Sequence, residues 1–343
     1  PLRTLLHLLL FFAGFFATAA WIGSMVPERQ KMQWFQHVQE EVDVVFLGSS
    51  HVFRQFDPQV FDRVRGASES PLRSINMGAL GMGLHEESYL LRQLLVAPAS
   101  HLKWIVVEAL PFDLELQNEN DFGLRRLEWH DTQLTLPLLF AIWESDLPAA
   151  EKWPLMQRHL EHWWRRSLNL ARGMEVLSSL APEPFALENF SNLGSHLDGY
   201  MPLSQETATN QSKGMRRIFL EDPSSLTQAA RSLPQVGDGG AADPRLRQLV
   251  MQMEELAADK GVNLIWWLHP GLERYAGWRQ MEQRGDLRYL VAHDDPERYP
   301  QFYQPRWHFD LYHLNRGGAE MLTTLFAQQF LTLTSTAEER AAQ

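Results

Sequence analysis

Unbroken apolar runs and helix-spaced apolar stripes alternate along two stretches of this chain, and a long middle portion shows neither. Val44, Val45, Phe46 and Leu47 form one such run; Trp104, Ile105, Val106 and Val107 form another, leading into Glu108. Residues 262–268 make a third, interrupted only by Asn263. Runs of this length, rich in β-branched and aromatic residues, predict strands buried on both faces of a parallel sheet. Residues 74–83 are predicted to form a short strand and a glycine-rich turn holding Gly78, Gly81 and Gly83. Between these runs the period changes. Asp57-Pro58 offers an N-cap and a first helical residue for a helix over 58–64. Leu90, Leu91, Leu94 and Leu95 share one face of a helix over 86–96. Leu246, Leu249, Val250, Met253, Leu256 and Ala257 keep helical spacing, with Gly261 where a C′ glycine belongs. An amphipathic helix over 317–333 closes the pattern. Strand, helix, strand in this order predicts an α/β fold around a central parallel sheet.

The α/β portions are expected at 43–113 and 245–333, with a tail over 334–343. Residues 114–244 read as an insertion or cap, mostly helical or irregular. Within it 135–174 is expected to be helical, with Trp143, Trp153, Trp163 and Trp164 as core or interface anchors. Residues 181–214 have the composition of a long loop, and 234–244 that of a flexible connector. An insertion of this length often covers an active site.

The first 26 residues change the picture. From Leu5 to Val26 the only ionisable side chain is His7, and about 20 apolar residues cross a bilayer as a helix. Ala17-Thr18-Ala19 resembles a signal-peptide cleavage site. The length and the interfacial position of Trp21 favour a retained anchor over 1–26, followed by a stalk over 27–42. Arg3 places the amino end inside and the main domain outside the cytoplasmic membrane, with Arg29 and Lys31 reducing the asymmetry. Of 343 residues, 45% are hydrophobic, enough for a substantial core. A net charge of −11 argues against nucleic acid as a partner, and the lack of cysteine excludes disulfides and thiolate chemistry.

Candidate chemistry sits at two distant places. Gly48-Ser49-Ser50-His51 ends the first strand, at the carboxyl edge where open α/β sheets hold ligands. Alone it is an ordinary turn. A serine nucleophile needs an imidazole to take its proton and a carboxylate to hold the imidazole's tautomer. Asp310-Leu311-Tyr312-His313 supplies both: three residues apart in a turn, Asp310 can accept from Nδ1–H and leave Nε2 outward. Ser50, His313 and Asp310 are therefore the candidate triad. Ser49, His51, Asn76 and His269 are candidate pocket residues, and His308 lies near the pair at a less suitable spacing. His85-Glu86-Glu87 lacks the second histidine of a helical zinc site. Gly78-x-x-Gly81-x-Gly83 has neither a Walker lysine nor Rossmann spacing. No metal and no cofactor are expected.

The order of these motifs resembles the SGNH (GDSL-like) hydrolase superfamily. Gly48-Ser49-Ser50 stands at its first block, Asn76-x-Gly78-x-x-Gly81 at its second and Asp310-Leu311-Tyr312-His313 at its fifth. The resemblance implies a three-layer sandwich, Ser50 as nucleophile, and backbone N–H groups of Ser50 and Gly81 as the oxyanion hole. One block departs: Glu108-Ala109-Leu110-Pro111-Phe112-Asp113 stands where the family has Gly-x-Asn-Asp, so its asparagine donor is missing. The Gly-Ser-Ser form with an amino-terminal anchor is similar to the membrane-anchored DltD, AlgJ and AlgX branch. That branch implies an O-acyltransferase or esterase that moves an acyl group, such as acetyl, through an acyl-serine. Its acceptor would be a glycan or polyol hydroxyl of envelope or exported polysaccharide, beside a membrane-bound O-acyltransferase (MBOAT) partner. The alternative is a catalytically silent SGNH-fold binding or scaffold subunit of a polymer-modifying complex.

Overall fold

A computed structural model describes residues 2–25, 30–66, 73–96, 101–115, 124–170, 172, 192–205, 210–233, 242–274 and 277–341. The chain divides into two compact units, one of residues 1–33 with 113–187 and one of 34–112 with 188–343. The expected insertion is thus split: its first part joins the amino-terminal helix, and its second part belongs with the sheet.

The larger unit is an α/β fold. Five strands, β1 (Val44–Leu47), β2 (Ser74–Asn76), β3 (Trp104–Glu108), β4 (Asn263–Leu268) and β5 (Leu290–Ala292), pair in the order β2-β1-β3-β4-β5. Every pairing is parallel. β1 and β3 are buried at every position, which their apolar runs favour and which makes Glu108, the last residue of β3, a buried carboxylate. Because β2 lies on one side of β1 and β3 on the other, the connections diverge between β1 and β3, the switch point at which ligand crevices open.

Helices cover both faces of the sheet. Phe46, Trp104, Val106 and Trp267 meet Phe326 and Phe330 of the closing helix in one core. Phe46 stacks on Phe56 at 4.6 Å, and Phe56 meets Trp267 edge-on at 4.6 Å. On the other face, Trp266 donates its indole N–H to Glu254 at 2.8 Å. Numbered along the chain, the helices of this unit include α3 (Ser50–Gln55), α4 (Pro58–Arg65), α5 (Leu84–Val96), α9 (Asn210–Glu221), α10 (Ser224–Arg231), α11 (Pro244–Asp259), α12 (Trp278–Arg284) and α13 (Arg316–Ala341). Asp57 caps α4, accepting from Gln59 and Val60, as its place before Pro58 predicts. Five elements of this unit were not legible: α3, β5 and α12 are too short for a period to show, α9 begins inside the stretch expected as loop, and α10 lies in a part of the insertion with no assigned element.

In the smaller unit α1 (Leu2–Met25) is long and apolar enough to span a membrane, and its apolar side chains are exposed along most of their run. α2 (Gln30–Val38), where a stalk was expected, spans the division at residue 33, most of it belonging to the larger unit. α6 (Leu124–Trp129), α7 (Thr132–Glu144) and α8 (Ala149–Ser167) complete the unit, α7 and α8 packed on each other. Residues 181–191 and 206–209 of the expected loop, and 234–241 of the expected connector, lie outside the described residues.

Candidate active site

The β1 exit is shaped by a close approach that only glycine permits. A Cβ on Gly48 would strike the Val52 side chain and sit 2.8 Å from both Cβ and Oε2 of Glu108. Ser49 follows as the N-cap of α3, its Oγ accepting from the His51 N–H at 3.2 Å. This makes Ser50 the first helical residue rather than part of a loop. Asn76, at the end of β2, fixes that helix from behind. Its amide donates to the carbonyls of Val52 at 2.7 Å and Phe56 at 2.8 Å, and its Oδ1 accepts from the Gly78 N–H at 2.9 Å. Asn76 is fully buried and so is not a pocket residue as expected, but a brace between β2 and α3.

The two remote motifs meet. His313 Nε2 lies 2.9 Å from Ser50 Oγ, across 263 positions of sequence. His313 Nδ1 lies 3.0 and 3.1 Å from the two carboxylate oxygens of Asp310. Asp310 Oδ1 also accepts the backbone N–H groups of Tyr312 and His313, each at 2.8 Å. A carboxylate only accepts, so Nδ1 carries the proton and Nε2 is the acceptor facing the hydroxyl. Burial alone would raise Asp310; its bonds to His313 and to the two N–H groups hold it below the ordinary carboxylate value.

The loop carrying this pair is held from two sides. Arg216 of α9 donates to the carbonyls of His308 at 2.8 Å and Phe309 at 2.6 Å. Thr323 of α13 donates to the Gln55 carbonyl at 3.0 Å and accepts from Asp57 N–H at 3.1 Å, tying the closing helix to the end of α3. His308 is not a rival base: it is buried between the carbonyls of Phe302 at 2.6 Å and Asp310 at 3.1 Å.

A second cluster adjoins the first. Glu108, the last residue of β3, is fully buried beside β1. Its Oε2 accepts from Ser49 N–H at 2.7 Å, and its Oε1 lies 2.8 Å from His51 Nδ1 and 3.2 Å from His269 Nδ1. Burial pushes the carboxyl up, but the two imidazoles outweigh it and hold Glu108 well below the ordinary range. Burial, then the charge of His269, pushes His51 down. The ligand atoms of His51, Glu108 and His269 lie within 4.8 Å of one another, close enough to invite a metal. Yet the two rings stack at 3.7 Å with planes 15° apart. Both Nδ1 atoms face the same carboxylate oxygen, Glu108 Oε1, which accounts for the close approach of the three groups. As arranged, the cluster is a hydrogen-bonded carboxylate clamp.

Sequence placed Ser50, His313 and Asp310 together, and the structure brings them into contact. Ser49, His51 and His269 also reach this edge, as partners of Glu108. Gly81 takes a left-handed φ of +57° in the turn after β2. Glu108 and Arg216 are the residues that sequence reasoning missed. Glu108 ends a strand otherwise apolar, the one signal that marks it. Arg216 is one arginine among many and carries none. No protein-family model and no curated protein matches the chain, so the geometry of this edge carries the functional argument.

Proposed function

We propose that this protein is a membrane-anchored serine O-acyltransferase or esterase of SGNH type. The single observation that carries the reading is the Ser50–His313–Asp310 hydrogen-bonded chain at the switch point of a parallel sheet. In this mechanism Ser50 Oγ attacks an ester carbonyl while His313 Nε2 takes its proton. The backbone N–H groups of Ser50 and Gly81 receive the negative charge on the carbonyl oxygen, as the family resemblance implies. The tetrahedral intermediate collapses, the ester C–O bond breaks, and His313 returns the proton to the departing alkoxide. A sugar or polyol hydroxyl, or water, then attacks the acyl-serine; His313 takes that proton and delivers it to Ser50. Asp310 keeps the ring in the required tautomer throughout and steadies the imidazolium.

Acyl transfer to an envelope or exported polysaccharide, beside a membrane-bound acyl donor protein, suits a domain outside the membrane on a single span. The family's missing asparagine donor leaves the oxyanion with one fewer partner, which can cost ~10²–10³ in rate. Glu108, at the end of β3, cannot replace it, since an ionised carboxylate offers no hydrogen. A slow reaction with water favours a transferase whose acceptor is bound in place. The same absence supports the second reading, a silent scaffold subunit.

Labelling with a fluorophosphonate decides between them. The enzyme reading expects a label on Ser50, none in Ser50→Ala, and acetyl release from an activated ester that rises with a glycan acceptor. An unlabelled wild-type protein with no acyl turnover would leave the scaffold reading.

A further inference from the structure

In the smaller unit α7 and α8 use their inner faces on each other: Leu134, Leu138 and Ile142 on one helix and Leu155, His159 and His162 on the other are buried. Their outer faces are also apolar. Leu136, Phe140 and Trp143 are 45, 65 and 66% exposed, and Trp153, Leu160 and Trp164 are 59, 37 and 50% exposed. At ~100° per residue each trio falls on one stripe of its helix. α7 is apolar almost all round, a pattern that water does not tolerate and that marks a buried or membrane-contacting helix.

What covers the stripes is indicated by where the hairpin ends. Asn169, just past α8, donates its side-chain amide to the Ala19 carbonyl of α1 at 2.7 Å. Gly23 lets it approach, since a Cβ there would lie 2.6 Å from Asn169 Nδ2. Asn169 holds a φ of +52°, a left-handed turn that asparagine adopts more readily than most residues. Ala19 and Gly23 belong to the last turns of the membrane-spanning helix, beside the exposed Trp21. The end of α8 is therefore pinned at the level where α1 leaves the hydrocarbon, whichever way the span is oriented. Tryptophan concentrates at that level.

We propose that the α7–α8 hairpin docks on the lipid bilayer through these tryptophan-bearing stripes, giving the protein a second, interfacial attachment beside its span. The occupant is lipid at the headgroup–acyl boundary, and the inference is independent of the chemistry of Ser50.

The absence of cysteine makes a direct test simple. Full-length Phe140→Cys, Trp164→Cys and, as a control on α11, Met251→Cys are labelled with an environment-sensitive fluorophore. Each is reconstituted in phosphatidylcholine–phosphatidylglycerol vesicles, with far-UV circular dichroism confirming the fold. The expected result is several-fold stronger quenching by acyl-chain doxyl lipids at 140 and 164 than at 251, with protection from aqueous iodide. Equal access of iodide to all three positions would overturn the proposal. Protection from iodide without doxyl quenching would overturn it too, since a second copy of the chain would then cover the stripes.

Discussion

Two carboxylate–imidazole pairs stand side by side at the carboxyl edge of this sheet, with the rings of His51 and His313 centred 5.5 Å apart. In both, a buried carboxylate holds Nδ1. At Asp310 the carboxylate serves one ring and two N–H groups of its own turn, and the far nitrogen of His313 meets the hydroxyl of Ser50. At Glu108 the carboxylate is shared between two stacked rings and the backbone of Ser49. The hydroxyl nearest that pair, Ser49 Oγ, is already engaged as a helix cap. A carboxylate and a histidine in contact thus say little about reactivity. The difference lies in whether the second ring nitrogen faces an uncommitted hydroxyl at a ligand-accessible edge.

The sharpest way to break this contrast is to exchange the serines. Under the proposed mechanism Ser50→Ala is expected to abolish fluorophosphonate labelling and to lower ester turnover by up to ~10⁶-fold, as nucleophile removal does in known serine enzymes. Ser49→Ala should keep the label and lose ~1 kcal/mol of stability with its cap. Labelling of Ser50→Ala but not of Ser49→Ala would reverse the roles assigned to the two pairs.

Next in size, Asp310→Asn should drop kcat by ~10⁴ with the fold intact, because the amide stabilises the wrong tautomer of His313. Steady-state kinetics with a small ester beside a thermal melt would test it; equal loss of activity and stability would make Asp310 merely structural.

Glu108 should show the opposite balance. Glu108→Ala leaves two imidazoles and the Ser49 N–H without their shared acceptor and should cost ~3–5 kcal/mol in chemical denaturation. Its pH signature follows from the sign of the shift. Both Glu108 and Asp310 titrate lower in the folded chain than in the unfolded one. The unfolded chain therefore takes up protons first, and stability present above the ordinary carboxylate range, about 4, is lost as pH falls below it. Acid unfolding of Glu108→Gln should be flatter in that window than wild type; an unchanged slope would show that Glu108 is not ionised there.

The last effect concerns what the two pairs share. Asn76 braces the helix that carries Ser49, Ser50 and His51. Asn76→Ala removes three buried hydrogen bonds and should cost ~2–4 kcal/mol. Labelling of Ser50 at temperatures below the lowered melting point should persist. Loss of labelling in a folded Asn76→Ala protein would move Asn76 into the site proper.

Much of this was legible from the chain alone, for a physical reason that also sets its limit. Strands buried on both faces are apolar along most of their length, so β1, β3 and β4 announced themselves. Helices capped by Asp57-Pro58 or closed by Gly261 did so through backbone geometry. Asp310 and His313 sit three residues apart, within reach of one turn, so their pairing was a local fact. What no local pattern encodes is contact across the sheet. That Glu108 lies beside β1, that Asn76 turns inward to brace α3, and that Arg216 from the expected insertion clamps the Asp310 loop all follow from strand order and packing. The division of the insertion between two units has the same origin. Sequence determined which segments could be buried and which residues could react; only the tertiary structure decided which carboxylate met which imidazole, because that choice is made by neighbours far apart along the chain.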